Sequence, residues 1–163
     1  MQPFPISIER YFFTRFSVVS NPDHTPDVSG LINAQVESSL NINQQENGDI
    51  YIADQRVKLI ADGNSSLPYS LDIECIGFFK VEPSLEEGKR LQMVAAVAHS
   101  VLFAAARDAV LTATARQAWG AFSIGLAVLQ SLNAPAAAGA APRKTRLTCF
   151  GLAMKRTFSK PSS

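Results

Sequence analysis

Cysteine is scarce in this chain: Cys75 and Cys149 are the only two in 163 residues. One thiol in a strand-like stretch and one near the C-terminus make no disulfide framework, and such usage suits a reducing cytoplasm. Histidine is as sparse. His24 lies in a proline-flanked loop and His99 in an apolar run. Neither has a second His, Cys or Asp at metal-ligand spacing, so no metal or other cofactor is expected. His24 reads as a surface loop residue, and His99 as a hydrogen-bonded residue at a helix interface. Glycine-rich phosphate loops of the dinucleotide and P-loop types are absent. The opening MQPFPISIER has neither the basic nor the apolar region of an export signal. The uncharged run between Arg90 and Arg107 is shorter than the ~20 residues of a membrane helix and contains His99 and Ser100. The longer stretch from Arg116 to Arg143 is broken by Gln117, Gln130, Asn133 and two prolines. No stable membrane insertion is expected.

Acid is missing from one end of the chain. Residues 131–163 carry six Lys/Arg and no Asp or Glu, while residues 1–130 carry nine Lys/Arg and 14 Asp/Glu, a net of −5. The overall +1 therefore joins an acidic body to a basic tail. The body would repel phosphates, so no nucleic-acid partner is expected. With 47% hydrophobic residues the body can bury a core.

Four strand patterns come first. Ile6, Ile8, Phe12, Phe16 and Val18 alternate with other residues, which predicts a strand with one buried face. Tyr11 and Phe13 add apolar mass to the opposite face, more than a one-sided sheet requires. After the loop NPDHTPDVSG, Ile32, Ala34, Val36, Leu40 and Ile42 alternate with polar residues. Asn47-Gly48 marks a hairpin. The next strand begins at Ile50 and Ile52 and then changes parity to Val57, Leu59 and Ala61, which predicts a bulge near Asp54–Arg56. The fourth has Tyr69, Leu71, Ile73, Cys75, Gly77, Phe79 and Val81 on one face. Asp72, Glu74 and Lys80 share the other with Ile76 and Phe78.

After Pro83 the pattern turns helical. Ser84 is the expected N-cap, with Glu86 and Glu87 in the first turn. The Ala- and Leu-rich run to Gln117 exceeds a typical helix and predicts two helices joined near His99–Ser100. Strands followed by helices predict an α+β domain, with an antiparallel sheet and helices packed on one face. This domain is read as residues 1–133. Residues 134–163 read as an Ala/Pro linker and a solvated basic tail without core-forming periodicity.

Enzyme signals are thin. Ala121-Phe122-Ser123-Ile124-Gly125 matches a nucleophile elbow except for its first residue, but an elbow needs a strand before it and a helix after it. A binding protein is therefore expected instead of an enzyme.

Ile8-Glu9-Arg10-Tyr11-Phe12, Gly77-Phe78-Phe79-Lys80-Val81, and Ala98-His99 with Val101-Leu102-Phe103-Ala104-Ala105-Ala106-Arg107-Asp108 and Arg116 come in this order along the chain. In order and spacing, over about residues 6–129, they resemble the SecB family of export chaperones. The resemblance implies a four-stranded antiparallel sheet with a long loop after the first strand and helices on one face. It further implies a homo-oligomer, a dimer or tetramer, that holds unfolded polypeptides in apolar grooves as a holdase. Tyr11, Phe13, Phe78 and Phe79 are the implied client-binding residues, and Asp72 the implied acidic contact for a partner such as the SecA motor. Arg15 and Val19 stand where other family acids fall, which speaks against SecA. Other SecB-like proteins guard an antitoxin in a toxin–antitoxin system. A different class of function, a non-catalytic adaptor for one folded partner, fits the same fold. A hydrolase built on Ser123 ranks last.

Overall fold

The computed structural model describes residues 4–26, 31–32, 36–46, 48–61, 66–125 and 154–155. Its main sheet contains β1 (Ile6–Ser20), β3 (Glu37–Gln44), β4 (Ile50–Leu59) and β5 (Tyr69–Val81), all antiparallel in the order β1-β5-β4-β3. β3, β4 and β5 follow one another as hairpins. β1 reaches β5 only by a connection that returns along the chain, a Greek-key arrangement. On that connection β2 (Leu31–Ile32) pairs with β6 (Met154–Lys155), so one point of the basic C-terminal segment is a strand. The remainder of that segment, and the boundary placed at residue 133, lie outside the described residues.

The hairpin turn at Gly48 forms where expected. Gly48 has φ 75°, its amide donates to Gln45 O at 2.9 Å, and Gln45 in turn donates to Ile50 O at 2.8 Å. β5 follows its sequence pattern throughout, with every second residue from Tyr69 to Val81 buried. The bulge expected near Asp54–Arg56 is absent. β4 pairs with β5 without interruption from Ile50 to Leu59, so Tyr51, Ala53, Gln55, Val57 and Leu59 share the buried face. Ile50 and Ile52 sit on the outer face instead. The apparent parity switch arises because both faces of β4 carry apolar residues. Likewise the strand expected from Ile32 starts only at Glu37, and Ile32 belongs to the separate β2·β6 pair.

One helix, α1 (Glu87–Thr114), packs on the sheet, where two helices were expected. It runs unbroken through His99–Ser100 because that segment contains no glycine or proline, and His99 is a packing residue. The N-cap is Glu86 rather than Ser84. The chain before it is held by Arg90, whose Nε donates to Leu85 O at 2.7 Å and whose Nη2 donates to Pro83 O at 2.8 Å. Val94, Ala95, Ala98, His99, Leu102, Phe103, Ala106 and Val110 form the buried stripe, at the three- and four-residue spacing of one helix face. α1 is apolar and long enough to cross a membrane by length and composition, yet this stripe is spent on the sheet.

A polar link crosses the apolar layer. Gln55 Nε2 donates to Ser38 Oγ at 2.6 Å and to Ser39 O at 3.1 Å, which turns Gln55 Oε1 toward His99 Nδ1 at 3.0 Å. His99 Nδ1 is therefore the donor in this pair, and the ring stacks on Phe103, with centroids 5.3 Å apart. A second link closes the end of the sheet. The Tyr69 hydroxyl donates to Gly120 O at 2.9 Å and accepts from the Trp119 amide at 3.2 Å, and Trp119 Nε1 donates to Asn21 O at 2.9 Å. His24, expected at the surface, is buried against Trp119, with centroids 4.9 Å apart. The proline-flanked loop folds back under this clasp, which composition alone does not reveal. Phe122 and Ile124 on either side of Ser123 are core residues. Ser123 follows a helix, not a strand, so the elbow geometry is not met.

Packing is tightest around Gly77. A Cβ there would stand 2.7 Å from the Phe79 ring and 2.9 Å from Leu102 Cδ2. Gly77→Ala is expected to cost about 1–3 kcal/mol through overpacking, and Phe79→Ala about 3–5 kcal/mol through the cavity it leaves. Urea unfolding at constant slope measures both, and an unchanged midpoint for either variant would contradict the packing described.

Candidate functional site

β1 departs from its expected pattern in a way that creates a surface. Its apolar residues Ile8, Tyr11, Phe13, Phe16 and Val18 are spaced by three, two, three and two. A regular strand would distribute them over both faces. The pairing with β5 slips between Ile8 and Arg10 and again between Phe13 and Arg15, one extra residue each time. Each bulge inverts the parity of the strand residues beyond it. Ile8 then lies opposite Phe79, Tyr11 opposite Gly77, Phe13 opposite Cys75, Phe16 opposite Ile73 and Val18 opposite Leu71. All five β5 partners belong to the buried face. The two bulges thus collect Ile8, Tyr11, Phe13, Phe16 and Val18 on the helix side of the sheet and leave Phe12 on the outer side.

This helix-side face is nevertheless open. Ile6 at one end is buried and Val18 at the other packs against the core, but between them Ile8, Tyr11, Phe13 and Phe16 are 40, 49, 36 and 43% exposed. The physical reason is coverage: α1 and the 115–125 segment bury the helix side of β3, β4 and β5 and leave the middle of β1 uncovered. The rings contact one another along this shelf. Tyr11 and Phe13 meet edge-on at 6.5 Å, and Phe13 and Phe16 at 5.7 Å. From Phe79 to Ile73 the shelf runs six residues of β5, about 20 Å at the rise of a strand. β1 is also the edge of its sheet, with one side of its backbone unpaired within that sheet.

The four residues expected to line a groove do not lie together. Tyr11 and Phe13 are neighbours on the shelf. Phe78 is on the opposite face, where it packs on Phe12 at 6.2 Å beneath the Arg10 guanidinium, 4.5 Å from its centroid. Phe79 is wholly buried in the core and has no surface to offer. Ile8 and Phe16 join them on the shelf; alternation places these two on the helix side correctly and misassigns Phe12, which lies on the outer face, and Tyr11 and Phe13, which do not. The signal for the inversions is the pair of polar dipeptides, Glu9-Arg10 and Thr14-Arg15, that interrupts the apolar pattern where the bulges occur.

The outer face has its own electrostatic order. Asp72 receives two hydrogen bonds from Arg56, from Nε and Nη2, both at 2.9 Å, and Arg15 approaches it at 3.6 Å. Arg15 also lies 3.7 Å from Glu74. The Arg56 hydrogen bonds hold the Asp72 carboxyl below the usual range. Asp72, expected as an acidic contact, is thus already neutralised within the sheet. Asp54 is the opposite case. Its Oδ1 is shielded from solvent and meets no hydrogen-bond donor among the described residues. Burial first, and the Glu74 charge second, push its carboxyl up. Burial also raises the Cys75 thiol to about 11, so it is inert at neutral pH. Among the described residues no His/Cys/Asp/Glu group could hold a metal ion.

No family model and no curated protein sequence matches this chain. Among solved structures it is similar to the SecB-like chaperone Rv1957 of Mycobacterium tuberculosis, determined in complex with a ChAD peptide from the Rv1956 HigA1 antitoxin. The TM-score is 0.57, over 75% of this chain and 90% of that one, at 15% sequence identity. The four-stranded antiparallel sheet with its helix is a SecB-like α+β fold.

The raised carboxyl of Asp54 sets a sign for stability. Its folded pKa lies above the unfolded value of about 3.9, so its contribution is fully present below that value and is lost as pH rises through the folded pKa. Asp54→Asn is therefore expected to raise the melting temperature at pH 7, with a gain that shrinks toward pH 4. A variant less stable than the parent at pH 7 would refute the unpaired-carboxylate reading.

Proposed function

We propose that this protein is a SecB-like holdase of the cytoplasm that binds unfolded polypeptides along the β1 shelf and does so without a catalytic residue. The exposed aromatic row from Ile8 to Phe16 carries the proposal. Such a contiguous apolar surface on one edge strand is costly for a free protein and marks an interaction site. An extended client can pair with the free edge of β1 through its backbone and set alternate side chains on the shelf, the general mode of strand addition. Backbone pairing is blind to sequence and apolar contact nearly so, and a chaperone needs both properties. By holding unfolded chains it lowers their free concentration.

Of the two services open to such a holdase, guarding an antitoxin is favoured over export through SecA. The observation is the Arg56 and Arg15 pairing of Asp72, which leaves the outer face without free acid at that position for a basic partner. The likeness to a chaperone solved with an antitoxin peptide supports the same choice. A homo-oligomer belongs to the proposal. On α1 the row Met93, Val97, Val101, Ala105 and Ala109 is apolar but only half-buried, and Leu91 and Leu111 are 40 and 42% exposed. A monomer would leave this surface and the shelf in water at once. The competing reading, an adaptor for one folded partner, separates from this one by breadth of binding.

Suppression of aggregation should extend to several unrelated denatured proteins. Phe13→Ser should weaken client binding severalfold with little change in melting temperature, because an aromatic anchor is worth ~2 kcal/mol or more when well packed and this one contributes little to the core. Phe78→Ala, on the other face, should leave client binding near the parent value. Activity toward one protein alone would favour the adaptor, and full suppression by Phe13→Ser would move the site elsewhere.

Light scattering should give a dimer or tetramer at micromolar concentration. A stable monomer there would overturn the assembly.

A further inference from the structure

Burial alternates along Ala121-Phe122-Ser123-Ile124-Gly125 as in a strand, with Phe122 and Ile124 buried and Ala121 exposed, yet no strand of either sheet pairs with this stretch. Phe122 and Ile124 lie in one core cluster with Tyr69, Leu71 and Ile73, and the Phe122 and Tyr69 rings meet at 5.5 Å. These β5 residues adjoin the shelf, since Phe16 lies opposite Ile73 and Val18 opposite Leu71. The chain just before the stretch is tied to the end of β1. There Ser20 Oγ donates to Gln117 Oε1 at 3.2 Å, and Trp119 Nε1 donates to Asn21 O at 2.9 Å. The open shelf thus stops short of Val18 because residues 116–125 cover its continuation on β5. An unpaired stretch that sets alternate apolar side chains on the helix side of the sheet occupies that surface as an extended client would.

We propose that residues 116–125 form a displaceable strap: Phe122 and Ile124 occupy a second stretch of the client site, on Tyr69, Leu71 and Ile73 of β5, and an extended apolar polypeptide takes their place. The inference rests on the holdase reading above and lengthens the same surface. From Ile73 to Tyr69 the added stretch is about 13 Å at the rise of a strand. What holds the strap favours exchange. Among the described residues no backbone–backbone hydrogen bond involves residues 121–125. Side chains hold the strap instead. Tyr69 OH donates to Gly120 O at 2.9 Å, Arg107 Nε donates to Ile124 O at 2.8 Å, and the Phe122 amide donates to Thr114 Oγ1 at 2.9 Å. Release therefore breaks no ladder, and each freed backbone group finds a partner in water. The apolar surface that the strap uncovers is covered again by the client, so little burial is lost in the exchange. Segments without a ladder of their own open locally at lower cost than the rest of a fold. Closed, the strap keeps Leu71 and Ile73 from water; open, it joins them to the shelf.

Trp119, the sole tryptophan of the chain, sits in the strap and reports its position. The test uses the full chain and, as client, a permanently unfolded carboxymethylated model protein free of tryptophan. At saturating client, Trp119 emission should move to longer wavelength and acrylamide should quench it severalfold more. Two variants loosen the strap at different points, so that misfolding of one leaves the other to decide. Tyr69→Phe keeps the ring and removes the hydroxyl that bridges Gly120 and Trp119, and Arg107→Met removes the donor to the Ile124 carbonyl. Each should raise quenching in the absence of client and raise client affinity severalfold, although each lowers the melting temperature. A side chain that only supports the fold has no means of weakening client binding in the parent. Trp119 unmoved in a parent that binds client overturns the strap alone, as does a rise in quenching without a gain in affinity. Client bound by neither parent nor variants overturns the holdase reading and the strap with it.

Discussion

A helix with its side chains is about 10–12 Å across, whereas the outer strands of a four-stranded sheet lie about 14 Å apart at a spacing of roughly 4.8 Å. One helix cannot roof such a sheet. α1 is the one helix among the described residues, and it carries no charged residue from Leu91 to Ala106, so it needs burial as much as the sheet does. The compromise buries the helix side of β3, β4 and β5 and leaves the centre of β1 open. The core, the exposed shelf and the apolar residue on the outside of α1 all stem from that mismatch of widths.

The bulges of β1 turn a packing shortfall into a defined surface. Without them Tyr11 and Phe13 would face one way and Ile8, Phe16 and Val18 the other, and neither face would hold a continuous row. With them the helix side receives the aromatics, and Arg10 and Arg15 stay on the outer side with Phe12 and Phe78. There the arginines cover a ring and neutralise carboxylates. Bulges also twist an edge strand and discourage indiscriminate sheet-to-sheet pairing. In the proposed holdase role, a strand that meets unfolded chains without polymerising benefits from that restraint.

Rigidity of the shelf depends on what lies behind it. Ala and Gly at the helix–sheet contact allow sliding, and apolar contacts alone do not define a register. The Ser38–Gln55–His99 chain does, because a buried amide that loses its partners costs about 1–3 kcal/mol. The Tyr69–Trp119–Asn21 clasp fixes the far end in the same way and bounds the shelf near Val18. Between two such fixed points the aromatic row keeps its place.

Several features were legible in the residues themselves. β5 reads directly from its alternation, because it is buried on one side along its whole length. The turn at Gly48 reads from the ease of positive φ, and α1 from its Ala and Leu content. Order and spacing of a few motifs were enough to indicate the SecB-like sheet and helix. Other features escaped. Alternation misled in β1 and β4, where both faces carry apolar residues and period two has no contrast to work with. The single helix, the Glu86 start and the burial of His24 depend on hydrogen bonds and packing with residues outside the local pattern. Local chemistry determined which segments are strands and which is helix, since propensity and periodicity act over a few neighbours. Only the tertiary structure decided that Phe13 is surface, Phe79 core and Phe78 on the far side, because register and coverage are set by strands and a helix tens of residues away.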